Sequence, residues 1–254
     1  MVILVSNDDG YFAKGLQPLV DRLSELGEVW VVAPETEQSA KSHGFTMHKP
    51  LRVRRHAERW YSVSGTPADC VYVALNHVLP ERPDLVVSGI NRGSNLGNDV
   101  LYSGTVAAAM EGCLAGLPSI AVSLFIDFDD PPPQHNWDTA ARVTVSLSRD
   151  LLANGLQPRT LLNVNVPDIP YDELQGIEAC QLGERIYDVL VDERKDPRGR
   201  RYLWIGGKHH AFADIERSDG PLTERGFATV SPLSADMTNY RALAALNAWS
   251  TFGD

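Results

Sequence analysis

Two aspartates, Asp8 and Asp9, stand side by side just past the apolar run from Val2 to Ser6. At the end of a strand two such charges repel each other unless a cation sits between or beside them. An all-oxygen ligand set suits magnesium, manganese or calcium rather than zinc. The other reading is a helix start, with one Asp capping and its neighbour solvated. A second polar cluster runs from Gly89 to Thr105. It carries glycines at 89, 93, 97 and 104, with Asn91, Asn95, Asn98, Ser94, Ser103 and Thr105. Glycines let backbone N–H groups approach an anion closely. Ser103-Gly104-Thr105 stands where a helix begins, and helix N-termini bind phosphate. The plainer alternative is a glycine-rich turn with ordinary capping residues. A third polar stretch, residues 34–50, holds Ser39 and Ser42 in a loop long enough to be functional or mobile.

Several chemistries are absent from these patterns. No Gly-Lys-Ser/Thr makes a Walker loop, and the first βα turn has no G-x-G-x-x-G. No G-x-S-x-G elbow marks an α/β-hydrolase. His43, His48, His56, His77 and His135 form no H-E-x-x-H pattern, and His209 and His210 are adjacent rather than at ligand spacing. The three cysteines, Cys70, Cys113 and Cys180, make neither a disulfide framework nor a zinc knuckle and read as small core residues.

The 254 residues suit one large domain, or one with a smaller appendage. The first residues lack a basic n-region and are too short for a signal peptide or a membrane span, so the expected compartment is the cytoplasm. A formal net charge of -10 argues against nonspecific nucleic-acid binding, which needs a basic surface. It is compatible with a small phosphorylated substrate, because a bound cation reverses the field locally.

The elements that must position these residues alternate strand and helix through the first half. Val2–Ser6, Val29–Ala33, Leu85–Ser88, Ser119–Ser123 and Thr160–Val166 read as buried strands. Leu16, Leu19, Val20, Leu23 and Leu26 share one helical face, with Gly27 closing the helix. Pro67 opens a second helix behind Thr66 as N-cap, and further helices are expected over 105–115 and 137–154. Residues 51–63 read as a two-stranded excursion, and Asp130-Pro131-Pro132-Pro133 as a loop. Alternation of this kind makes an α/β domain with a mostly parallel sheet, whose ligands bind at the carboxyl ends of the strands. The core is expected over residues 1–166. Residues 167–254 form a smaller C-terminal part, with an extended β-hairpin (186–192 and 201–205) around Asp196-Pro197-Arg198-Gly199 and a closing helix over 238–249.

Taken together these segments resemble the SurE family, the stationary-phase survival proteins and 5'/3'-nucleotidases. The resemblance rests on ILVSNDDG (3–10), the QS at 38–39, VSGTPADCV (63–71) and PDLVVSGINRGSNLGNDVLYSGTVAAAMEG (83–112). A weaker stretch runs from Asp219 through GFATVSPLSADMT (226–238). It spans nearly the whole chain. One departure is Ala40, where a glycine commonly follows the serine of that loop. The resemblance implies a Rossmann-like core with helices on both faces. It implies one divalent metal ion per subunit, magnesium or manganese or else cobalt, held by Asp8, Asp9, Ser39 and Asn91. Phosphate contacts are implied for Asn95, Ser103, Gly104 and Thr105. A C-terminal part that exchanges elements between subunits would build a homodimer or homotetramer.

The expected activity is metal-assisted hydrolysis of nucleoside 5'- and 3'-monophosphates, with short polyphosphate as a further substrate. Asp8 or Asp9 would orient or deprotonate the attacking water. Covalent routes through Asp8 or Ser39 are rival mechanisms, although paired acids of aspartyl-phosphate enzymes are usually separated by one residue. The rival from another class is a noncatalytic metal and nucleotide sensor that uses the same cradle. Trp60, Tyr61 and Tyr102 are candidates to stack a base.

Overall fold

The computed structural model describes residues 1–128, 131–188, 190–206, 209–249 and 251. Asp130, in the expected proline loop, lies outside them. The first strand, β1 (Val2–Ser6), is buried along its whole length and alternates between two cores. Ile3 and Val5 face one, and Leu4 the other. That is the period-two geometry of a strand covered on both faces, and each large aliphatic side chain so buried stabilises the fold by roughly 1.5–3 kcal/mol. Helix α1 (Leu16–Leu23) buries Leu16, Leu19 and Leu23. It stops earlier than the periodicity predicts. Gly27 lies beyond it in β2's approach, where an added Cβ would be 2.3 Å from the Met1 carbonyl oxygen, so close packing rather than helix capping requires the glycine.

Strand β2 (Glu28–Pro34) pairs parallel with β1, and the excursion β3 (Val53–Ala57) and β4 (Trp60–Val63) extends that edge. Helix α2 (Pro67–Val73) opens with a complete capping box. The Thr66 side chain accepts from the Asp69 amide, and Asp69 accepts from the Thr66 amide. Strand β5 (Leu85–Arg92) runs four residues further than its apolar run suggests. A register shift between Ser88 and Asn91 carries it past Gly89, where a Cβ would lie 2.4 Å from the Val122 carbonyl oxygen. The bulge re-aims Asn91 at the strand end. Helix α3 (Gly104–Leu114), strand β6 (Ser119–Phe125), helix α4 (Trp137–Asn154) and strand β7 (Thr160–Pro167) complete the first half. Helices α1 and α4 cover one face of the sheet, and α2 and α3 the other.

The sheet continues past residue 166. After β8 (Gly176–Ala179) come β9 (Arg185–Tyr187), β10 (Leu190–Lys195), β11 (Arg201–Gly206) and β12 (His209–Phe212). Helix α5 (Asp219–Glu224), strand β13 (Phe227–Ser234) and helix α6 (Tyr240–Leu246) follow. Among the described residues nine strands form one sheet in the order β3-β4-β2-β1-β5-β6-β7-β13-β8. Strands β4, β2, β1, β5, β6 and β7 are parallel, and β13 runs antiparallel to β7. The expected strand over 186–192 is two strands: β9 pairs with β12, whereas β10 pairs with β11 around the turn at 196–200. The closing helix is shorter than expected, and Tyr240 and Leu243 on it are exposed.

Strand order reverses at β1, with β2 on one side and β5 on the other. In an open α/β sheet the crevice at such a switch point, at the carboxyl ends of the strands, is where ligands bind. The loops after β1 and β5 are the ones carrying Asp8-Asp9 and Asn91.

Candidate active site

Asn7 builds the turn that presents the two aspartates. Its amide nitrogen donates to the Gly10 carbonyl (2.9 Å) and its oxygen accepts from the Gly10 amide (3.1 Å). Gly10 holds a φ of +98°, a region that favours glycine. Asp8 is nearly inaccessible, at 5% exposure, and its Oδ1 accepts the Thr105 hydroxyl. Asp9 is half-buried, and its Oδ2 accepts the Arg92 amide at 3.0 Å. One aspartate is thus fastened to the start of α3 and the other to the end of β5.

Neither carboxylate forms an ion pair with a Lys, Arg or His among the described residues. Burial raises the Asp8 carboxyl above its usual range, against the pull of the Thr105 hydroxyl. Burial, then the neighbouring Asp8 charge, push Asp9 up to about 6. Glu37 raises both further. Two carboxylates held together at such a cost, without a cationic partner, fit a hard divalent ion. Asn91 adds an oxygen: its Nδ2 donates to the Gly93 carbonyl (2.7 Å), which leaves Oδ1 outside that bond. Ser39 is exposed, and its hydroxyl donates to Glu37 Oε1 at 2.8 Å. The Ser39 loop is brought to Asp8 by the neighbouring Gln38 amide, which donates to the Asp8 carbonyl at 2.8 Å. Among the described residues no three His, Cys, Asp or Glu side chains converge as a metal cage. A cation here would rest on two carboxylates completed by amide, hydroxyl, water and substrate oxygens, the way magnesium is commonly held.

The Ala40 backbone explains a departure noted in the sequence. Its φ is +56°, and that of Ser42 is +54°. Ala40 therefore occupies a conformation that glycine adopts without strain, at a cost of about 1–2 kcal/mol. Ser42 pins the loop: its hydroxyl donates to the Leu101 carbonyl (2.7 Å), and its amide to the Tyr102 carbonyl (3.1 Å).

The opposite wall is the start of α3. Ser103 caps the helix, its Oγ accepting the Val106 amide at 3.0 Å. Gly104 packs on Asp8 so closely that a Cβ would be 2.8 Å from the Asp8 Cβ. The Thr105 hydroxyl donates to Asp8 and its amide also bears on that carboxylate, so Thr105 fastens Asp8 to the helix start and leaves the Gly104 amide to face an incoming anion. Unpaired amides at a helix start, with the positive end of the helix dipole, receive phosphate oxygens. The buried Asn95 is held from below: its Nδ2 donates to Ser123 Oγ (2.7 Å), its amide to Asn165 Oδ1 (2.8 Å), and its carbonyl accepts from Asn163 (2.8 Å) and Asn165 (3.0 Å). Sequence reasoning passed over Asn163 and Asn165. Their only signal is two asparagines alternating with valines in an otherwise apolar strand, on a face where buried amides require partners.

Of the aromatic candidates, the Trp60 indole donates to the Tyr11 carbonyl (3.2 Å) and Tyr61 stacks on Trp30, so both serve packing. Tyr102 stands beside Ser103 with 66% of its surface exposed.

Comparison with known proteins matches residues 3–189 to the family described as survival protein SurE. The chain is 49% identical over 255 residues to the 5'-nucleotidase SurE of Myxococcus xanthus, covering 99% of this chain and 94% of the relative. It is 50% identical to the 5'-nucleotidase SurE of an Anaeromyxobacter species, covering 100% and 97%. Among solved structures, the SurE protein of Aquifex aeolicus superposes with a TM-score of 0.85 at 39% identity, covering 97% of this chain and 98% of that one.

Proposed function

The chain belongs to the SurE family, and we infer that it is a metal-dependent 5'-nucleotidase that hydrolyses nucleoside monophosphates to nucleoside and phosphate in the cleft between β1 and β5. The observation that carries this reading is the Asp8–Asp9 pair, one buried and one half-buried and neither in an ion pair among the described residues, facing the N-terminus of α3 across the switch point. Asp8, Asp9, Asn91 and Ser39 are the residues that would hold the metal. A divalent ion there supplies charge neutralisation at the phosphoryl oxygens and a lowered pKa for water.

The chain's own groups do the rest. The Gly104 amide and the Ser103 hydroxyl receive the phosphoryl oxygens, Thr105 holds the helix start against Asp8, and Asn95 offers its remaining amide hydrogen. Fixed donors of this kind hold the group for in-line attack and cost no reorganisation during reaction. Asp9 is the more accessible acid and the one suited to orient a water, because Asp8 is committed to Thr105. Tyr102, exposed beside Ser103, is the candidate to contact the base. Magnesium or manganese is the expected ion, and 3'-monophosphates and short polyphosphate are the expected secondary substrates.

The reading extends to assembly as a homodimer or homotetramer, with residues 167–254 supplying exchanged elements. Its support is the apolar surface of β11, where Leu203, Trp204 and Ile205 are 61%, 60% and 92% exposed, and of α6. No helix among the described residues is long and apolar enough to cross a membrane. With three buried free cysteines, this fits work in the cytoplasm.

The test is release of inorganic phosphate from nucleoside 5'- and 3'-monophosphates, p-nitrophenyl phosphate and tripolyphosphate, with EDTA and with added magnesium or manganese. Release that EDTA abolishes is the expected result. Nucleotide binding by folded protein without release under any metal would replace the enzyme by a sensor.

A further inference from the structure

The chain between Asn95 and Ser103 must hold its shape for the phosphate contacts to form, and much of what fixes it comes from the far end of the sequence. The Gly97 amide donates to Asp219 Oδ2 at 2.8 Å. Asp219 Oδ1 accepts the amides of Gly183 and Gly220, each at 2.8 Å. The Asp219 side chain is fully buried and has no cationic partner among the described residues. Three backbone N–H groups face its charge, against a burial that raises the carboxyl above its usual range, and hydrogen bonds to an ionised acceptor are the strong kind.

Space around the carboxylate is closed. Gly97 holds a φ of +53°, and a Cβ there would lie 2.7 Å from the Gly183 carbonyl oxygen. A Cβ on Gly183 would lie 3.0 Å from Asp219 Oδ1. Gly97 opens the single helical turn Gly97–Leu101, which leads through Tyr102 to the Ser103 cap of α3. The same C-terminal segment grips the turn again, with Arg185 Nη1 2.7 Å from Asp99 Oδ2 and 3.4 Å from Ser94 Oγ.

We propose that Asp219 is a positioning residue for phosphoryl binding, acting through the Gly97 amide to fix the loop between Asn95 and Ser103. The proposal rests on the phosphatase reading of the cleft. It makes the C-terminal part a structural constituent of the phosphate cradle, in addition to any role in assembly.

Asp219→Asn is the informative substitution because it keeps the volume. The amide oxygen can serve Gly183 and Gly220 together, as Oδ1 does, and the amide nitrogen then faces the Gly97 N–H, donor against donor. In the full-length protein with manganese, calorimetry with inorganic phosphate and steady-state kinetics with a nucleoside 5'-monophosphate are compared with wild type. The dissociation constant for phosphate and KM are both expected to rise roughly tenfold or more, while manganese affinity stays unchanged, since Asp8, Asp9 and Asn91 are held elsewhere. A loss confined to thermal stability or to the active fraction, with phosphate affinity and KM unchanged, overturns the proposal. Where Asp219→Asn does not fold, Gly97→Ala decides, because its Cβ meets the Gly183 carbonyl and displaces the same loop: weakened phosphate binding supports the proposal, and unchanged binding overturns it. Wild-type protein that binds phosphate yet releases none from any nucleotide would sink the phosphatase reading alone, since the phosphate titrations still decide Asp219.

Discussion

The two walls of the cleft are built on opposite electrostatic plans. On the β1 side, the buried Asp8 and half-buried Asp9 lie beside each other with Glu37 nearby; burial raises both carboxyls, and the Asp8 charge raises Asp9 further. On the β5–α3 side, the polar groups of Asn95 are matched by Asn163, Asn165 and Ser123, and the Gly97 amide by Asp219. The first wall is incomplete in partners for its charges, and the second is complete in hydrogen bonds, with three amides on Asp219 against the burial that raises its carboxyl. A wall that lacks charge compensation is one that waits for a cation, whereas a wall with matched partners keeps its amides aimed at a fixed point. Substitutions should therefore act in opposite directions on the two sides.

The largest effect is expected on the incomplete wall. Asp8→Asn and Asp9→Asn should each lower metal-dependent kcat/KM by about 100-fold or more, as loss of a major electrostatic contact does. Each should also leave the metal-free protein at neutral pH as stable as wild type or more so, for Asp9→Asn by up to about 3 kcal/mol, because a penalised charge is gone. Phosphate-release kinetics and thermal melts in EDTA check both halves, and a variant that loses stability along with activity would break the contrast.

On the complete wall, Asn165→Ala should do the reverse and destabilise. It strips the partner from the Asn95 amide and one from its carbonyl, all buried, at about 2–4 kcal/mol. Chemical denaturation measures this, and a cost below about 0.5 kcal/mol would mean that the network is not the support described.

The smallest effect is a pH dependence. Asp9 has a folded pKa of about 6 against 3.8 unfolded, so the folded state binds the extra proton between those values. The associated stability is present below the unfolded pKa and is lost as pH rises through about 6. A bound cation removes that loss. Manganese should therefore raise the melting temperature by more at about pH 8 than at about pH 5, and equal shifts would contradict the raised carboxyl.

Much of the first wall was legible in the sequence because its chemistry is contiguous. Adjacent Asp8 and Asp9 follow one apolar strand; on the second wall only Ser103-Gly104-Thr105 announces itself, as a helix start, by its own residue types. The second wall was legible only in part, because its supports act across long separations. Asn163 reaches Asn95 over 68 residues and Asp219 reaches Gly97 over 122. Strand β13 escaped the hydrophobic pattern because Thr229 and Ser231 are buried in it, at 1% exposure each. Strand β5 looked finished at Ser88 because Gly89 reads as a loop residue, whereas its missing side chain is what lets the bulge pass Val122. The spacing in α6 told of an amphipathic helix, and spacing alone says nothing of what covers its apolar face.

The most direct test of the central claim, that Asp8 and Asp9 need a cation to work, is a manganese titration of metal-stripped protein by calorimetry. Phosphate release from a nucleoside 5'-monophosphate is followed on the same samples, for wild type and Asp9→Asn. One manganese per chain, with activity rising in step with occupancy and both lost in the variant, is the predicted result. Full phosphate release by the metal-stripped wild type, or unchanged manganese affinity in Asp9→Asn, would contradict it.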